Sequence, residues 1–237
     1  MRVESIALPN HNSARLARAA LDVSARHVIE ALELPAPRAL LILNGATAKL
    51  DPKVSRHLDE LFTALARLVI DERITVLTGA TNAGIFALFG RALEKGGRLS
   101  APCLGVTAGG CVGELAELEP HHSHFLLAET DEWSAATPIM YELAQALAVE
   151  CQSLAVFAGG GLVTRTEMLK NVEQNREMIL LAGSQGSTDA VVAARSGEPT
   201  TEADIQRISR EGRLTIFALE DEPVSLANLI YSRLFSV

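Results

Sequence analysis

The sequence predicts an α/β protein with a single doubly wound, mostly parallel Rossmann-like sheet of about seven strands and helices on both faces. Three observations predict it. Seven short apolar runs recur along the chain, they do not alternate with polar residues, and amphipathic helical patterns separate most of them. Strands covered on both faces read as continuous Val, Ile and Leu runs, since helices shield both sides of a parallel sheet. Strand alternating with helix then implies doubly wound order. Hydrophobic residues make up 48% of the chain and aromatic ones only 4%, so the core must be aliphatic.

In chain order, residues 1–38 differ from the rest. Leu16, Ala19, Ala20, Val23, His27 and Leu32 suggest an amphipathic helix that ends at Pro35 and Pro37. This predicts an N-terminal helical extension over 1–38, packed on a domain spanning 39–237. The apolar runs at 40–43, 74–77, 103–106, 125–128, 154–157, 178–182 and 214–218 are the expected strands. The clearest helix follows Asp51-Pro52, an N-terminal signal, and carries Val54, Leu58, Leu61, Phe62, Leu65, Leu68 and Val69 on one stripe. Further helices are expected near 84–94, 134–149, 164–175, 187–195 and 225–234. Residues 196–210, with Pro199-Thr200-Thr201, read as a loop and short helix forming a mobile flap.

Charge narrows the function classes. The formal net charge is −8 and the sequence pI about 5.3, which argues against nucleic acid or an anionic membrane as partner. No apolar run approaches the roughly 20 residues that cross a bilayer. The opening MRVESIALPNHNSARLARA lacks a signal-peptide core, so a cytoplasmic location is expected. Cys103, Cys111 and Cys151 share no metal-like spacing and read as reduced thiols. Between Leu99 and Thr164 there is no Lys or Arg, while Glu114, Glu117, Glu119, Glu129, Asp131, Glu132, Glu142 and Glu150 are all acidic. That window supplies no cation for catalysis or phosphate binding.

Four expected strands run into small or glycine-rich turns. These are Asn44-Gly45-Ala46-Thr47, then Thr78-Gly79-Ala80-Thr81-Asn82-Ala83-Gly84, then Gly159-Gly160-Gly161 with Thr164 and Glu167, and finally Gly183-Ser184-Gln185-Gly186-Ser187-Thr188-Asp189. Ligands of doubly wound sheets bind beyond the carboxyl ends of the strands. Glycine lets the backbone approach a phosphate, and helix-start N–H groups supply donors without any Lys or Arg. A single such turn is often only tight packing; four meeting at one sheet edge point to a site. Gly79 and Gly84 have Walker A spacing, but Ile85-Phe86 stand where Lys-Ser/Thr is needed, and Rossmann G-x-G-x-x-G spacing does not fit.

The turn TGATNAG with Ile85 and the stretch GGGLVTRTE at 159–167 resemble the paired signatures of the SLOG superfamily, which includes LOG phosphoribohydrolases, the DprA-type fold and the N-terminal domain of TRPM channels. HSHF at 122–125, DEWSAATPIMYELAQALA at 131–148 and AGSQGSTDAV at 182–191 resemble the prokaryotic branch related to the TRPM domain. The last is similar to a GSGR-x-AD ligand turn, with Gly183, Ser184, Gly186 and Asp189 matching and Gln185 at the Arg position. Against the PGG-x-GT-x-x-E pattern of the LOG enzymes, Gly160, Gly161, Thr164 and Glu167 match. Gly159 replaces the Pro, Val163 replaces a Gly, and the upstream Arg has no counterpart. The resemblance covers about residues 38–195.

The resemblance implies a small-molecule nucleotide ligand, ADP-ribose, NAD or a relative, with no required cofactor and no metal. The residues expected to hold it are Gly45, Ala46, Thr47, Gly79, Thr81, Asn82, Gly84, Gly160, Gly161, Thr164, Glu167, Gly183, Ser184, Gly186 and Asp189. Two functions stay open. One is a non-catalytic binding or sensing domain, which the missing Arg favours. The other is a nucleotide N-glycosidic bond hydrolase that uses Glu167, with a cation such as Arg165. A homo-oligomer is compatible with either. His121, His122 and His124 read as structural or ligand-edge groups rather than metal ligands, and Trp133 as a base-stacking or core-capping ring. Asp189, early in a helix, would favour the helix dipole whatever the function.

Overall fold

The computed structural model describes residues 1–48, 50–97, 100–113 and 116–235. Its elements in chain order are β1 (Arg2–Ala7), β2 (Ser13–Ala19), α1 (Ala25–Leu32), β3 (Leu40–Gly45), α2 (Pro52–Asp71), β4 (Thr75–Thr78), α3 (Gly84–Gly96), β5 (Cys103–Ala108) and β6 (His124–Ala128). They continue with α4 (Thr137–Leu147), β7 (Ser153–Ala158), α5 (Leu162–Glu173), β8 (Glu177–Ala182), α6 (Gly186–Arg195), α7 (Ala203–Glu211), β9 (Leu214–Ala218) and α8 (Pro223–Phe235). Short 3-10 turns cover Gly109–Cys111 and Trp133–Ala136. Among the described residues the strands form one sheet of nine in the order β1-β2-β6-β5-β4-β3-β7-β8-β9. Among these described strands only the β1–β2 pair is antiparallel. All seven expected strands are present.

Alternate residues of each central strand face opposite helix layers, which is why the runs are apolar at nearly every position, Thr75 and Thr215 excepted. On one face Leu41, Leu43, Val76, Val156 and Ile179 pack against α2, α3 and α8. On the other Leu40, Ile42, Leu77, Phe157 and Leu180 pack against α1, α4, α5, α6 and α7. Asp51 caps α2 as its position suggests, its carboxylate accepting from the backbone N–H of Lys53 at 2.8 Å and of Val54 at 3.4 Å.

Residues 1–38 depart from the helical reading. Residues 13–19 form a strand, and β2 pairs in parallel with β6 from Arg15↔His124 to Ala19↔Ala128. Helix covers only Ala25–Leu32 of the segment, starting after Ser24, whose side chain accepts from His27 N–H. Ala and Arg favour helix locally, but the open edge of β6 offers backbone partners along a whole strand, and that tertiary pairing overrides propensity. Leu16 and Ala17, adjacent in sequence, are both buried because they point to opposite faces of the sheet.

The segment read as a mobile flap is docked instead. Ile205 and Ile208 of α7 lie in the core, and Arg195 donates to the carbonyl of Ser209 at 2.7 Å. No described helix is long and apolar enough to cross a membrane.

Candidate functional site

The chain leaves β3 toward β4, β5 and β6 on one side, then returns to place β7 on the other side of β3. Strand order therefore reverses at β3 and β7, and a crevice opens beyond their carboxyl ends. Because β3, β4, β7 and β8 are mutually parallel, the four glycine-rich turns emerge on that same edge. They enclose a cavity of about 710 Å³, within the roughly 300–1,000 Å³ usual for small-molecule sites.

Eleven of the residues named from sequence line this cavity: Gly45, Ala46, Thr47, Gly79, Thr81, Gly160, Gly161, Thr164, Glu167, Ser184 and Gly186. Four do not. Asn82 is exposed, its backbone N–H donating to the Glu117 carbonyl at 2.8 Å. Gly84 is a packing residue: at φ +50° it sits against Ala46, whose carbonyl oxygen lies 2.0 Å from where a Cβ would stand. Asp189 accepts from the N–H groups of Gly183 and Gln185, each at 2.8 Å, and so braces the turn after β8. Gly183 is thereby held as part of that brace.

The turns after β7 and β8 are laced together. Gly159 N–H donates to Ser184 Oγ at 2.8 Å, Thr188 Oγ1 donates to the Gly159 carbonyl at 2.7 Å, and Ser187 N–H donates to the Gly160 carbonyl at 2.8 Å. These bonds consume the carbonyls and leave amides. The N–H groups of Gly160, Gly161, Leu162, Val163 and Thr164 meet no acceptor among the described residues, and α5 has no side-chain cap. A helix start with free donors and a positive dipole end is an anion seat. The start of α3 differs, since Ile85 N–H already donates to the Ala46 carbonyl at 2.9 Å.

Glu167 lies in the second turn of α5, because that helix begins at Leu162, two residues before the expected start. It is 7% exposed, and burial pushes its carboxyl up to about 8, so at neutral pH it is mostly a neutral donor. Behind it lies a buried network that sequence reasoning missed. Asn44 and Asn171 both donate to Tyr141 Oη, at 2.9 and 2.8 Å, and Arg176 donates to Asn171 Oδ1 at 3.2 Å. Their spacing of up to 132 residues leaves no local signal. Phe86, Val106, Met140 and Leu162, also unforeseen, give the cavity apolar walls, and Trp133, 39% exposed, stands among the lining residues. Thr81 Oγ1 is buried at the wall without a partner among the described residues.

Among the described lining residues none is Lys, Arg or His. Arg165 is engaged elsewhere, donating from Nε to Ser187 Oγ at 3.0 Å and pairing with Glu202. His121 and His122 form their own cluster around Glu119, which contacts His121 Nδ1 at 2.7 Å and His122 Nδ1 at 2.8 Å, while His124 Nδ1 meets Ser123 Oγ at 2.8 Å instead. Burial alone would raise Glu119, but hydrogen bonds from both rings outweigh it and hold the carboxyl at about 2. His122 Nε2 lies 2.6 Å from Thr78 Oγ1, which accepts from Ala80 N–H, and the Ala80 carbonyl accepts from Glu119 N–H at 2.8 Å. The cluster thus fixes Ala80 at φ +70° and supports the cavity rim at Gly79 and Thr81. Glu114, one of the eight acids of the cation-free window, lies outside the described residues.

Fold and cavity together define a doubly wound α/β protein with a glycine-turn cleft at the carboxyl edge of its sheet. A family profile described as "SLOG in TRPM, prokaryote" matches residues 38–228, and the chain belongs to that family. A search of curated proteins finds no match. Among solved structures the chain is similar to TM1055, an X-ray structural-genomics target, with 16% identity and a TM-score of 0.57 over 83% of this chain and 99% of that one. At that identity the likeness concerns the fold alone.

Proposed function

We propose that this domain binds a nucleotide-derived ligand of the ADP-ribose or NAD type without turning it over. The observation that carries the reading is the set of amides from Gly160 to Thr164, without acceptors among the described residues, opening into a cavity whose described lining holds no cation. A pyrophosphate there is met by backbone dipoles. The neutral Glu167 carboxyl removes the like-charge repulsion that an ionised Glu would impose and can donate to a ligand oxygen. Trp133 and Met140 offer apolar surface to a base. Thermal shift with ADP-ribose, NAD and AMP tests binding, and chromatography for released base tests turnover. We expect saturable stabilisation and no base above background; absence of stabilisation by all three ligands defeats the reading.

A hydrolase is the second reading, and Glu167 is the observation in its favour. A carboxyl raised to about 8 is suited to protonating a departing base. Against it, Arg165 is committed to Ser187 and Glu202, leaving no described cation to stabilise developing phosphate or oxyanion charge. Base release that vanishes in Glu167→Gln would establish this reading in place of the first.

A further inference from the structure

A second concavity, of about 190 Å³, lies at the opposite edge of the sheet, where β7, β8 and β9 begin. Among the described residues its wall carries Arg176, Arg213 and Arg233 with a single acid, Glu177. A surplus of guanidinium is unexpected on a chain of net charge −8, and here it converges from three separate stretches of sequence. Glu177 is shared: its Oε1 meets Arg233 Nε at 3.0 Å and accepts from Thr215 Oγ1 at 2.9 Å, while its Oε2 lies 3.7 Å from Arg213. Arg176 has no carboxylate partner among the described residues. Its residue is 6% exposed, with Nε donating to Ser153 Oγ at 2.9 Å and Nη1 to Asn171 Oδ1 and Gln174 Oε1.

Those bonds fix the plane of the Arg176 guanidinium and leave Nη2 without an acceptor among the described residues. A preorganised guanidinium at the base of a polar hollow, flanked by two more exposed ones, matches the geometry of phosphate recognition. We infer that this hollow is a binding site for a phosphate group, either free orthophosphate or that of a small phosphomonoester, separate from the glycine-turn cavity. The six residues of β7 separate the two sites by roughly 17 Å. Arg176 supplies the buried contact, and Arg213 and Arg233 close over the remaining oxygens.

The test titrates the intact chain with sodium phosphate against sodium chloride of equal ionic strength, reading thermal shift and ³¹P line broadening. Because phosphate could also enter the glycine-turn cavity, the titration is repeated on Arg213→Gln/Arg233→Gln and on Gly161→Val, which alters only the cavity. We expect saturable binding in the parent and in Gly161→Val, weakened roughly tenfold or more in the double arginine variant. Both outer arginines are half exposed, so that variant is expected to fold; Arg213→Gln alone, with an intermediate loss, gives a second measure. Tighter binding of glycerol 3-phosphate than of orthophosphate assigns the site to a phosphomonoester, and the reverse order to the free ion. No saturable binding in the parent, or binding unchanged in the double variant, overturns the inference. Neither result depends on whether ADP-ribose or NAD occupies the other cavity.

Discussion

Glu167 ties the cavity to pH through its burial. Its carboxyl binds a proton more tightly folded, at about 8, than unfolded, at the ordinary glutamate value of 4.5. Stability from the protonated form is therefore complete below about pH 4.5, declines as pH rises, and is fully lost above about 8, a cost of a few kcal/mol. Glu167→Gln lacks this proton, so the stability difference between parent and variant should grow from pH 5 to 8 and then level off; urea melts across that range would expose a flat difference. The same change keeps a neutral donor and should weaken ADP-ribose binding by only about 1 kcal/mol at pH 7. At the glycines, two neighbours part ways. A Cβ on Gly160, at φ +90°, meets Thr164 Oγ1 at 2.1 Å, so Gly160→Val damages the turn itself. Gly161 has a negative φ and nothing within 4 Å of a Cβ. Gly161→Val should keep the parent melting temperature within about 2 °C yet lose ADP-ribose stabilisation, as paired thermal-shift curves would reveal. Retained stabilisation would remove Gly161 from the site.

At the scale of elements, the amino-terminal hairpin is the clearest departure from local reading. Arg15 and Arg18 of β2 are separated by two buried residues, Leu16 and Ala17, so they show no period of two, while Leu16, Ala19 and Val23 suit a helical stripe, and seven residues are too few to decide the period. The edge of β6 decides it. Ala17→Pro removes a ladder donor where the residue is fully buried between β1 and β6, and should cost about 3 kcal/mol or more. Hydrogen exchange would then rise at the amides of Phe125, Leu126 and Leu127; unchanged protection there would mean that β2 contributes little to holding β6. The strand-to-helix turns were easier to read. Their glycines advertise positive φ or close approach, but sequence does not say what approaches: at Gly84 it is the Ala46 carbonyl, and at Asp189 the acid braces its own turn.

Across the whole molecule, one sheet runs from the amino-terminal hairpin to β9, and both helix layers pack on it. We propose that 1–38 melts with the rest rather than separately. Far-ultraviolet circular dichroism and the fluorescence of Trp133, the single tryptophan, should report one coincident transition; a resolved earlier transition would separate the flank from the sheet.

The chain by itself determined the alternation of buried strands and helices, the parallel order that follows, and the turns where backbone donors are exposed. Each of these is a local pattern, set by side-chain period and by glycine. Tertiary structure alone decided which edge strand completes the sheet, and that Asn44, Tyr141, Asn171 and Arg176 meet behind Glu167. It also decided that Glu167 is buried enough to hold its proton at neutral pH. Hydrogen-bond partners and desolvation depend on what long-range folding brings within a few ångströms, and no spacing along the sequence encodes that distance.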